Sequence, residues 1–218
     1  MAIFFDWFTK VVFYLISVPI LIGLYRWPSL IVPIRLFWCN LLVGLAITLA
    51  NDLLPHQSDN FGIYYTNTAI DAVLMTGCFT AWLSERLRWL FWVGCGAFLL
   101  LMGWGTVQWG FTLTTALRFS TIESSFVILM AVCVGVAQIR RPTQVRLRQE
   151  PIVWITVGVL IMNLMTLVLN VLGSQLYVYS ADLFNIFWNT VVPLSQLTNY
   201  IFAGIGFWLS RSPVSRTA

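Results

Sequence analysis

The chain has 218 residues, of which 59% are hydrophobic and only 9% charged, with 11 tryptophans. A soluble domain carries roughly 25% charged residues, so this composition excludes one and points to an integral membrane protein. The formal charge of +4 does not indicate nucleic acid, because the arginines fall in short links between apolar runs and so report orientation in a bilayer.

The apolar runs are continuous and do not alternate, which predicts helices and not barrel strands. Seven spans are predicted. The first covers about Trp7–Tyr25, is expected to be retained as a helix because no basic leader precedes it, and has Pro19 as a kink point. The link Arg26–Arg35 leads to a second span, about Leu36–Leu53, and the polar segment Pro55–Gly62 follows. The third span is about Tyr65–Ser84, and a tight turn with Arg86 and Arg88 leads to the fourth, about Trp89–Val107. After a loop poor in cations come the fifth span, about Phe119–Ile139, and the basic loop Arg140–Arg148. The sixth, about Ile152–Leu172, and the seventh, about Asp182–Trp208, complete a single domain over residues 1–218.

Sorting the cations by side places Arg26, Arg35, Arg86, Arg88, Arg140, Arg141, Arg146, Arg148, Arg211 and Arg216 together, against Lys10 and Arg118. Ten against two predicts an external N-terminus and a cytoplasmic C-terminus, in a multi-pass protein of the inner (cytoplasmic) membrane. The first span has little polarity and is expected at the periphery, whereas Gly96 and Gly103 of the fourth suit close helix contact.

Polar residues inside the spans fall on stripes. The seventh carries Asn185, Asn189, Gln196 and Asn199 at helical steps, continued by Ala203 and Gly206. Pro193 in its middle has no N–H for the carbonyl of Asn189, which is left free as a binding point or as a place where two helices hold each other. The sixth carries Thr156, Asn163, Thr166 and Asn170, the third Asn67 and Asp71, and the second Asn40, Gly44 and Asn51. Asp71 and Glu123 matter most, since a carboxyl in a span is costly and marks function by default. Counted from the predicted outer ends at 1.5 Å per residue, both lie about 8–10 Å deep. Apart from Asn40 the inner half reads as apolar or small.

This distribution predicts an outward-facing pocket with Asp71 and Glu123 as its floor, Asn170, Asn185, Asn189 and Trp188 on its wall and Arg118 at its lip. Four cysteines without paired spacing and a single histidine, His56, offer no metal site, and no cofactor is expected. Retinal would need a lysine in the last helix, but Lys10 is the only one. Serine proteolysis would need a basic partner in the bilayer, and none is present, so no enzyme activity is expected.

Four stretches, YLISVPILIGLYR, RFSTIESSFVILM, PIVWITVGVLIM and LFNIFWNTVVPLSQLTNYIFAGIGFW, together resemble a group of small bacterial seven-helix membrane proteins, covering about half the chain. That group is similar in turn to the seven-helix sensor modules of membrane histidine kinases. The resemblance implies a sensory or accessory role but supplies no catalytic residues. The chain ends ten residues after the last predicted span, so a signal would pass through a partner, docked at Arg140–Arg148. The expected function is a receptor-like module that binds a small ligand from outside and shifts its helices about Pro193. A small proton-linked permease and a structural subunit of a membrane complex are the alternatives.

Overall fold

The computed structural model describes residues 2–53, 61–140 and 147–210, with side chains at 7–50, 62–112, 114–140, 147–172, 179–180 and 182–210. His56, Arg141, Arg146, Arg211 and Arg216 lie outside the described residues, as do the side chains of Asn51 and Tyr177. Eight α-helices make up the fold: α1 (Ala2–Tyr14), α2 (Ser17–Tyr25), α3 (Val32–Leu53), α4 (Phe61–Thr80), α5 (Glu85–Trp109), α6 (Leu113–Arg140), α7 (Pro151–Tyr179) and α8 (Ala181–Leu209). Among the described residues there is no strand.

Among the described residues five stretches are long and apolar enough to cross a bilayer: Trp7–Tyr25, Val32–Ala50, Glu85–Trp109, Thr114–Arg140 and Pro151–Leu172. Their length and composition make the chain a multi-pass membrane protein. Outward-facing Leu100 and Val107, 77% and 81% exposed, suit hydrocarbon far better than water. The helices α4 and α8 are long enough by the same rule, but the polar stripes through Asp71 and through Asn185 to Asn199 dilute their apolar character.

Local chemistry explains the helix ends. Pro19 has no N–H for the carbonyl of Leu15, which accepts from Val18 instead at 3.1 Å, so the first predicted span breaks into α1 and α2. Gly110, at φ 69°, closes α5 in the left-handed region where a side chain is strained. Two residues on, the hydroxyl of Thr112 accepts from the amide of Thr115 at 3.2 Å and starts α6. The Ser180 hydroxyl caps α8 in the same way, accepting from Leu183 at 3.3 Å.

Six rods close into a ring: α1 and α2 pack on α8, then α8 on α7, α7 on α6, α6 on α4, α4 on α3, and α3 back on α2. The first predicted span is therefore part of the wall and not peripheral. The outlying helix is α5, which rests on α4 and α6 alone among its main contacts. The reason is packing surface: Trp89, Leu90, Trp92, Val93 and Trp104 of α5 face outward, and only Phe91, Cys95, Phe98 and Gly105 are buried. Gly96 and Gly103 meet nothing within 4 Å, so the close glycine contacts lie elsewhere. They are at Gly158 and Gly206, where α7 and α8 approach so closely that a Cβ on Gly206 would sit 2.8 Å from Ile155 and one on Gly158 2.8 Å from Phe202. A third is at Gly23, whose missing side chain makes room for the Trp38 indole, 9% exposed.

Gly23→Ala is expected to destabilise the protein by about 1–3 kcal/mol, because the added methyl overlaps Trp38 and crowds Phe207. Gly96→Ala, with open space around it, should leave stability unchanged or raise it slightly. Thermal unfolding of both variants in detergent checks the pair, and equal effects at the two positions would contradict the packing described.

Candidate functional site

The two carboxyl groups come from different helices and meet. Asp71 lies on α4, the eleventh of its 20 residues, and Glu123 lies eleventh of the 28 residues of α6. Counting ten residues at 1.5 Å puts each about 15 Å from the start of its helix. The helices begin at Phe61 and at Leu113, several residues earlier than their apolar runs suggest. Glu123 is 8% exposed and its carboxyl lies beside that of Asp71. From the other side, the Nδ2 of Asn40 on α3 donates to Oδ1 of Asp71. One acid thus joins α3, α4 and α6.

A hydrogen-bond inventory constrains this cluster. The Asn40 amide donates, so Asp71 Oδ1 accepts. Two ionised carboxylates have only acceptors, so neighbouring carboxyl groups favour holding one proton between them. Removing that proton would set two like charges side by side, a repulsion on the order of 4 kcal/mol at 4 Å and an effective dielectric of 20. Among the described residues neither carboxyl has an ion-pair partner. Arg118 is exposed near the N-terminal end of α6, its guanidinium 5.6 Å from the centre of the Trp109 ring. It braces the end of α5 and does not neutralise the pair.

A second polar contact sits one helical turn toward the start of α6. The Nδ2 of Asn170 on α7 donates to the hydroxyl of Ser120 at 3.0 Å, and its Oδ1 is buried without a partner. Three residues separate Ser120 from Glu123, so both lie on the face of α6 turned into the ring.

The remaining predicted wall residues are not gathered at this cluster. Asn185 is exposed, and Trp188 lies 5.5 Å from Phe184 on its own helix. Asn189 is half-buried, and the carbonyl freed by Pro193 accepts from the hydroxyl of Thr9 at 3.4 Å. Of the two roles open to that carbonyl, it joins α1 to α8. The physical reason for the dispersal is that α8 packs chiefly on α7, α1 and α2, away from α4.

Asn40 and Ser120 are the partners that sequence reading did not assign to the site. Asn40 stood out as the inner-half exception on its helix, but one sequence cannot show that a residue on α3 and one on α4, 31 positions apart, share a level. Further buried polar groups lie beyond the acid pair, toward the α4–α5 and α6–α7 connections. Thr76 and Thr80 are buried and satisfy their own helix at 2.6 Å, while Gln138 Nε2, Thr156 Oγ1 and Asn199 Oδ1 are buried without partners. Among them stand Phe37, Phe79, Met130, Val134, Ile155 and Val159, each at most 1% exposed.

A hollow of about 270 Å³ lies between α3 and α4, toward the end where Leu53 and Phe61 sit. It is lined by Val43, Ala46, Ile47, Gly62, Ile63, Thr66 and Ile70, and none of the predicted wall or floor residues lines it. No group of three or more His, Cys, Asp or Glu side chains able to hold a metal ion occurs among the described residues. Comparison with family models, curated proteins and solved structures finds no match.

Replacing Asn40 and Asp71 by alanine, singly and together, should reveal a coupling of roughly 1–2 kcal/mol, in the range measured for interhelical bonds in membranes. A double-mutant cycle on unfolding in mixed micelles reads this value. A coupling of zero would mean that the amide and the acid act independently.

Proposed function

We propose that the chain is a seven-span, receptor-like membrane module in which the Asp71–Glu123 pair is a protonatable sensing element. The single observation that carries this reading is that Asn40, Asp71 and Glu123 bring three helices together at neighbouring carboxyl groups. Two such groups favour holding one proton between them; losing it sets like charges against each other where α3, α4 and α6 touch, whereas a small cation in its place would bridge the two carboxylates. A helix shift is the natural readout of such a site, and buried carboxyls within spans mark proton relays and switches in general. The resemblance to seven-helix sensor modules supports the same role.

In this reading α4 and α8 cross the membrane with the five more apolar spans, their polar stripes turned inward. The described arginines at the α2–α3, α4–α5 and α6–α7 connections favour that end as cytoplasmic and the opposite end, with the N-terminus, as external. The inner (cytoplasmic) membrane is the location that fits. The exposed Arg140 and Arg148 would then meet a cytoplasmic partner that receives the signal.

The second reading is a proton-linked permease, favoured by the unpartnered Gln138, Thr156 and Asn199 atoms inside the bundle. Sensing is preferred because the apolar side chains from Phe37 to Val159 interrupt that sequence of polar groups.

In infrared difference spectra of the reconstituted protein between acidic and alkaline buffer, a protonated-carboxyl C=O band is expected. It should vanish in the doubly substituted Asp71→Asn, Glu123→Gln protein, while the amide bands keep the helical profile. A band that survives both substitutions would exclude the pair as the titrating site. Proteoliposomes under a potassium diffusion potential separate the two readings: a permease acidifies the lumen, and a sensor leaves it unchanged.

A further inference from the structure

The link between α2 and α3 reads YRWPSLIVPIR, with two arginines nine residues apart around a Trp-Pro-Ser turn. Pro28 and Pro33 prevent a continuous helix, so α2 ends at Tyr25, residues Trp27–Ser29 form one 3₁₀ turn, and α3 starts at Val32. Arg35, one turn into α3, folds back on this link. Its Nη2 donates to the carbonyl of Trp27 at 3.3 Å, and its guanidinium lies 4.9 Å from the centre of the Trp27 ring. Arg26 turns the other way, with its guanidinium 4.7 Å from the centre of the Trp208 ring on α8. Trp27 is held edge-on against Trp38 at 4.9 Å, and the Trp38 N–H donates to the carbonyl of Ile20 at 2.8 Å. The two guanidinium groups are thus fixed on a rigid aromatic frame.

Among the described residues their charge is not compensated. Both arginines are half-buried, and among the described residues neither forms an ion pair. The Nε of each is buried with no hydrogen-bond partner. A half-desolvated cation without a counterion is costly, so an anion from outside must complete the arrangement. Nearby hydroxyls are already used, Ser29 donating to the carbonyl of Arg26 and Ser210 to that of Gly206, which leaves charge and the planar guanidinium fork as the recognition chemistry. The position at the ends of two spans, Trp7–Tyr25 and Val32–Ala50, sets the level at that of phosphodiester groups. Directly along the bilayer side of α2, Leu21 and Leu24 are exposed, 63% and 56%, and offer a surface for acyl chains.

We propose that Arg26 and Arg35, framed by Trp27 and Trp208, form a binding site for the phosphate of an anionic phospholipid whose acyl chains lie along α2. Purified full-length protein, stripped of lipid and titrated with phosphatidylglycerol or phosphatidylcholine in mixed micelles, tests this by native mass spectrometry and thermal unfolding. The wild type should retain phosphatidylglycerol roughly tenfold or more in preference to phosphatidylcholine and unfold at higher temperature with it. The Arg26→Gln, Arg35→Gln double variant should lose the preference, whereas Arg86→Gln, at an exposed arginine, should keep it. Equal retention of the two lipids by the wild type overturns the proposal without any variant being needed. So does inorganic phosphate that protects as well as the lipid, which would assign the site to a free anion.

Discussion

A carboxyl group in hydrocarbon has to find its partners inside the protein, and this constraint organises the bundle. Asp71 takes the Asn40 amide on one side and the Glu123 carboxyl on the other, so the level of α3, α4 and α6 relative to one another is set by a few polar atoms. Apolar packing alone allows helices in a bilayer to slide, since lipid tails solvate leucine as well as leucine does. Here the ring has a register mark. The Ser120–Asn170 bond extends it to α7, and the Thr9 hydroxyl on the Asn189 carbonyl ties α1 to α8.

The two prolines inside the spans show how context decides the outcome of one chemical defect. At Pro19 the orphaned carbonyl of Leu15 turns to Val18, and the helix divides. At Pro193 the orphaned carbonyl of Asn189 is met from a neighbouring helix, and α8 runs unbroken from Ala181 to Leu209. Pro193 is buried and backed by the close α7–α8 contact at Gly158 and Gly206, so a break there would forfeit tight packing on both sides. Pro19, although buried, belongs to a first span with fewer such constraints.

Much of this was legible in the sequence. Continuous apolar runs and their punctuation gave the all-α membrane class, and Pro19 was marked as a kink point by its missing donor. The acids Asp71 and Glu123 stood out by residue type. What it could not supply was the angular position of one helix against another. Asn185 and Asn189 share a stripe, yet one is exposed and the other sits beside Thr9, because α8 turns toward α1 and α7 and not toward α4. Helix starts were misjudged for a related reason: polar first turns such as Leu113 to Arg118 are helical although their hydropathy is low.

The placement of α5 carries a further consequence for how the chain is assembled. During synthesis α5 precedes α6, so α4 meets α5 before the helix to which it gives its larger contact. Only Phe91, Cys95, Phe98 and Gly105 of α5 are buried, so little of α4 is committed to it when α6 arrives.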